Sequence, residues 1–115
     1  MTGYDIFKNA ITRLEYPTGV DGSNEKRLFL KANEFFSIIC NDIKVPMIKD
    51  MYSPLKFSDD IVEALCCGVA MLLANTEGDI NKFQVFHGLY VTQRMRVLNC
   101  IMHITDMQPT TNFGG

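Results

Sequence analysis

The chain reads as an all-α protein: a small bundle of about four helices, with a long loop between helices 2 and 3 and a flexible C-terminal tail. Three observations predict this. Apolar residues recur at steps of three and four in separate segments, the spacing of one helix face. Glycine, proline and short polar residues punctuate those segments in the manner of helix ends and starts. No segment reads as a β-strand. Residues 1–105 form the helical domain of this reading and 106–115 the tail; 115 residues is the size of one ordinary domain.

The first helix is expected over Tyr4 to Glu15, where Phe7, Ala10, Ile11 and Leu14 share a face. Pro17 disfavours helical backbone at Tyr16, and Gly19 and Gly22 mark a loop. Ser23 is the N-cap candidate for the second helix, with Glu25 placed to meet the positive end of its dipole. Leu28, Ala32, Phe35, Phe36, Ile39 and Ile43 give that helix its apolar stripe, and it should end near Asn41 or Asp42.

Lys44 to Phe57 differs. Pro46 and Pro54 argue against a continuous helix, and Val45, Met47, Ile48, Met51 and Tyr52 make the segment too apolar for a simple linker. Three placements are open to it: packed over the bundle, folded as a short hairpin, or docked on a neighbour.

Ser58, Asp59 and Asp60 restart the helix with N-terminal chemistry of the expected sign. Ala64 to Ala74 is apolar all round, so this third helix is the predicted centre of the fold, with Leu72 and Leu73 both in the core. Gly68 inside it costs helix stability, and a closely approaching neighbour would explain it. Gly78 suits the left-handed position after a helix end, and Asp79 can cap the next. So short a link makes the third and fourth helices antiparallel neighbours. The fourth should run from about Ile80 to Ile104, with Phe83, Phe86, Tyr90, Val97 and Ile101 in beat and Leu89, Met95, Leu98 and Met102 widening the stripe.

Charge and composition exclude several function classes. The net charge is −2 and the isoelectric point about 5.6, without the basic footprint of a nucleic-acid binder. Lys26, Arg27 and Lys31, and likewise Arg94 and Arg96, read as solvated helix faces. The longest apolar stretch, Ala64 to Ala74, is too short to span a bilayer. Met1 to Glu15 is an amphipathic mix rather than a signal peptide, so a soluble, cytoplasmic chain with reduced thiols is expected.

The search for chemistry yields no catalytic residue, no metal ligand set and no cofactor cradle. Cys66 and Cys67 are adjacent and point about 100° apart on a helix, unlike convergent zinc pairs. Cys40, Cys66, Cys67 and Cys100 all sit in apolar runs, where a thiol behaves as a small hydrophobe. His87 and His103 have no identifiable orienting carboxylate. Asp59, Asp60, Glu77 and Asp79 are accounted for as helix-terminal carboxylates. What remains is a capacity to bind other protein chains. The candidate contacts are Met47, Ile48, Met51 and Tyr52 of the middle segment, since methionine-rich surfaces adapt to partners, and Phe113, a lone aromatic near the C-terminus that can anchor in a pocket.

The second half carries a resemblance. Ile61-Val62-Glu63-Ala64-Leu65 leads into Gly68-Val69-Ala70-Met71-Leu72-Leu73-Ala74, then Glu77-Gly78-Asp79, Lys82-Phe83, Phe86, Leu89-Tyr90 and Gln93-Arg94. Over Ser58 to Arg96 this resembles the small head–tail connector (adaptor, or head-completion) proteins of tailed bacteriophages and prophages. Cys67 stands where that family often has an aromatic, and Val91-Thr92 where a polar turn is common. The resemblance implies a helical bundle without catalytic residues, made in the bacterial cytoplasm and placed at the head–tail junction of the virion. There, copies of the chain form a ring oligomer between the portal protein and the tail or stopper proteins. DNA passes through the channel without specific binding, and no membrane is involved. The other reading of the residues is a small helical cytosolic adaptor or regulatory protein that binds another protein.

Overall fold

The computed structural model describes residues 1–106, with side chains up to Cys100, and contains four α-helices. They are α1 (Gly3–Leu14), α2 (Ser23–Asp42), α3 (Asp59–Thr76) and α4 (Ile80–Asp106). No strand is present among the described residues, only an isolated antiparallel bridge between Thr2 and Pro54. No described helix is long and apolar enough to cross a membrane. The expected tail beyond Asp106, with Phe113, lies outside the described residues.

α1 starts on a capping box. The Asp5 amide donates to Thr2 Oγ1 at 3.1 Å, and the Thr2 amide donates to the Asp5 carboxylate at 2.9 Å. Its inner face buries Ile6, Phe7, Ala10, Ile11 and Leu14. Glu15 then turns left-handed (φ 61°), and its amide donates back to the carbonyls of Ile11 and Thr12.

α2 does not begin as expected. Ser23 is its first helical residue, and the cap is Gly22 at φ 79°, which has no side chain to contribute. The loop does that work instead: the Asp21 carboxylate accepts from the Ser23 amide at 3.0 Å and the Thr18 carbonyl from the Glu25 amide at 3.0 Å. With those orphan donors satisfied, a capping hydroxyl is redundant. Leu28, Ala32, Phe36, Ile39, Cys40 and Ile43 are buried, while Phe35 is half-buried.

α3 is the centre of the molecule and touches all three other helices. Ser58 caps it through its hydroxyl, and every residue from Ala64 to Ala74 is buried except Leu72, which is half-buried. Leu73 is the fully enclosed one of that pair. Gly68 marks a close approach: a Cβ there would lie 2.7 Å from Cδ1 and 2.8 Å from Cγ1 of Ile39 on α2.

Gly78 is left-handed (φ 74°), and Asp79 accepts from the Lys82 amide, so α3 and α4 form an antiparallel hairpin. Phe86, Tyr90 and Val97 of α4 are buried. Leu89 and Met95 do not widen the buried stripe as expected; they are about half exposed, at 48% and 54%. α4 rests mainly on one neighbour, α3, so its inward arc is narrow and residues a quarter-turn from it face water. The helix runs unbroken past Gly88.

Candidate functional site

Residues 43–58 carry no helix and lie back over the start of α1. Lys44 leaves α2 in the left-handed region (φ 61°). Asp50 folds the chain at its midpoint, its carboxylate accepting from the Tyr52 amide at 2.9 Å and the Ser53 hydroxyl at 2.7 Å. Two backbone bonds then strap the segment down, from the Tyr4 amide to the Met51 carbonyl (2.8 Å) and from the Leu55 amide to the Met1 carbonyl (2.8 Å). Val45, Ile48, Met51, Leu55 and Phe57 pack their side chains against the core. Met51 sits so close over Gly3 that a Cβ there would be 2.8 Å from its sulfur.

The strap separates the sequence-predicted contact residues into two groups. Ile48 and Met51 are half-buried against the chain's own core. Met47 and Tyr52 are exposed, at 51% and 66%. Tyr52 extends an aromatic cluster outward: its ring lies 5.6 Å from Tyr4 and 6.1 Å from Phe29, and these contact the buried Phe7 at 6.0 and 5.0 Å. Aromatic pairs at these separations add to area burial. Beside them the Tyr4 hydroxyl donates to Glu25, which also accepts from Lys8, both at 2.5 Å. The bond to Glu25, with burial, pushes the Tyr4 pKa up to about 12, and the Lys8 and Tyr4 bonds hold Glu25 below the usual carboxylate range. The result is an exposed aromatic ring, Tyr52, set on a fixed base, with Met47 exposed elsewhere on the same segment.

Several charged residues prove to be ties between helices. Arg27 and Lys31 are not simply solvated: Arg27 makes a bidentate pair with Glu77 at 2.9 and 2.8 Å, and Lys31 adds a third bond at 3.0 Å. These bonds, Arg27 first, pull the Glu77 pKa down to about 2. Glu77 is thus a cross-brace at the end of α3, not a carboxylate of a helix start. Arg94 likewise donates to Asp42 at 2.7 Å, joined there by the Tyr90 hydroxyl at 2.5 Å. Burial opposes the charged form of Asp42, but these two bonds outweigh it and its pKa is lowered. Such pairings join residues 46 to 52 positions apart, and no local spacing announces them.

An open groove of about 470 Å³ between α1 and α3 is lined by Leu55, Phe57, Arg13 and Glu63 among others. Arg13 is committed there to a bidentate pair with Glu63 at 2.6 and 2.9 Å. The Cys67 thiol donates to the same carboxylate at 3.4 Å. Burial pushes Cys66 up to about 11 and Cys67 up to about 12 and also raises Cys40, so all three are protonated at neutral pH. Cys100 departs from the buried-thiol expectation and is exposed. Among the described residues no cluster of three or more His, Cys, Asp or Glu is arranged to hold a metal ion. The chain matches no protein-family model, and no curated protein or solved structure is similar enough to it to count as a relative.

Proposed function

We propose that this chain is a non-enzymatic structural subunit of a phage head–tail connector ring, bridging portal and tail proteins. The observation that carries the proposal is the strapped segment. A 16-residue stretch between α2 and α3 is held by backbone bonds to α1 yet turns Met47 and Tyr52 outward. A contact residue on a pre-ordered base loses little conformational entropy on binding, which favours an assembly contact. The resemblance noted over Ser58 to Arg96 adds support, since those residues build the α3–α4 hairpin against which the rest of the chain packs.

The experiment is co-sedimentation of the purified chain with portal assemblies encoded in the same genome. Stoichiometric binding is expected, and Met47→Glu should abolish it while leaving the thermal midpoint unchanged, because Met47 is exposed. Absence of binding across a range of salt would overturn the connector reading in favour of a cytosolic adaptor.

A further inference from the structure

We propose that the strap is a basic docking segment for an acidic polypeptide, so that the partner of this chain offers carboxylates set among apolar side chains. The chain has 11 lysines and arginines. Among the described residues, Lys8, Arg13, Arg27, Lys31, Lys82 and Arg94 are each paired with a carboxylate. Lys26, Lys44, Lys49, Lys56 and Arg96 are exposed and make no ion pair among those residues. Three of these five fall within the 16 residues of the strap. Its one carboxylate, Asp50, is committed to the turn, accepting from the Tyr52 amide and the Ser53 hydroxyl. The whole chain is negative, at −2, so the basic strap is a local feature and not a consequence of composition.

Order along the segment matters as much as number. Lys44, Met47, Lys49, Tyr52 and Lys56 alternate a cation with an exposed apolar side chain. Backbone bonds to α1 hold the segment, so these groups are carried on an ordered chain and little entropy is lost when a partner meets them. Charge then selects the occupant. Unpaired ammonium groups pressed on a neutral surface lose hydration and gain nothing, whereas carboxylates attract them at range and pair with them on contact. Met47 and Tyr52 favour a polypeptide over duplex DNA, because a phosphate backbone offers them no apolar surface. Duplex binding also draws its affinity from many phosphate contacts, and the strap supplies few. The inference deepens the connector reading by stating the chemistry of the surface that the strap meets, and it rests on that reading only for the partner's identity.

A random copolymer of glutamate and tyrosine serves as the probe, with polyglutamate and duplex DNA as comparisons at equal anionic charge. The full chain should bind the copolymer more tightly than either, and less tightly as salt is raised. Lys49→Gln with Lys56→Gln should weaken binding by about fivefold or more and flatten the salt dependence. Lys26→Gln with Arg96→Gln makes the same change in net charge away from the strap and should leave binding within about twofold of wild type. Lys44 stays in place because its backbone is left-handed (φ 61°). Both variants should keep the wild-type thermal midpoint, since all four residues are exposed. No binding of the copolymer, equal loss in the two variants, or DNA or polyglutamate bound as tightly as the copolymer would each overturn the proposal. Self-association at low salt that the strap variant abolishes would also overturn it, by assigning the strap to a second copy. The portal experiment separates the two readings. Portal binding that survives Lys49→Gln with Lys56→Gln leaves the connector standing and removes the acidic partner surface; copolymer binding by a chain that ignores portal does the reverse.

Discussion

Gly68 measures how little room separates α2 from α3. Adding a methyl group there removes the helix-propensity cost of glycine, about 1 kcal/mol. It also drives a carbon into the Ile39 side chain, which is 2% exposed and has no open space to retreat into. Overpacking of this kind costs about 1–3 kcal/mol, so Gly68→Ala should be net destabilising in urea titrations. Adding Ile39→Val to that variant should recover part of the loss, because the two positions share one contact. The cysteines invite a second test at this scale. Cys100 should react with a thiol reagent in the folded protein, while Cys40, Cys66 and Cys67 should react only on unfolding. Rapid native labelling of more than one thiol would place the α3 core elsewhere.

Between elements, charged groups fix positions that apolar packing leaves adjustable. Glu77 is the clearest case, since Arg27 and Lys31 on α2 converge on the end of α3. Its pKa falls from the ordinary 4.5 to about 2 in the folded chain. A depressed carboxylate stabilises the folded state fully above its unfolded pKa, and that contribution disappears as pH falls through the folded value. Thermal midpoints should therefore drop as pH is lowered from about 4.5 toward 2. Glu77→Gln should flatten that part of the profile and lower the midpoint at neutral pH modestly, because Arg27 remains partly solvated. An unaltered profile in the variant would show that the brace contributes nothing.

For the whole molecule, the central position of α3 has a consequence for unfolding. α1, α2 and α4 all pack on it, and the strap joins α1 to α3. Loss of α3 removes the main surface on which each of the other helices is buried, so the chain should unfold in a single transition. Helical circular dichroism and tyrosine fluorescence should give coincident urea curves. An earlier fluorescence transition would identify the strap and the Tyr4–Tyr52 cluster as a separately melting unit.

Helix positions and order were legible in the chain because the 3.6-residue period and the end signals are local properties. The apolar run of α3, the Ser58 cap and the left-handed Gly78 all follow from residues near one another in sequence, whereas Gly68 signals a close neighbour that only the fold identifies as Ile39 of α2. The exceptions were contacts that required another part of the chain to be in place. Ser23 lost its capping role because the 18–21 loop folds back to satisfy the amides of α2. Of the middle-segment candidates, Ile48 and Met51 turned inward while Met47 and Tyr52 stayed exposed. The start of α1 lies beneath that segment, and composition alone does not say which side chains will meet it. Leu89 and Met95 face water because α4 rests mainly on α3, and periodicity ranks the faces of a helix without counting its neighbours. Local spacing decides which residues form a helix; only the assembled bundle decides which of its faces remain uncovered.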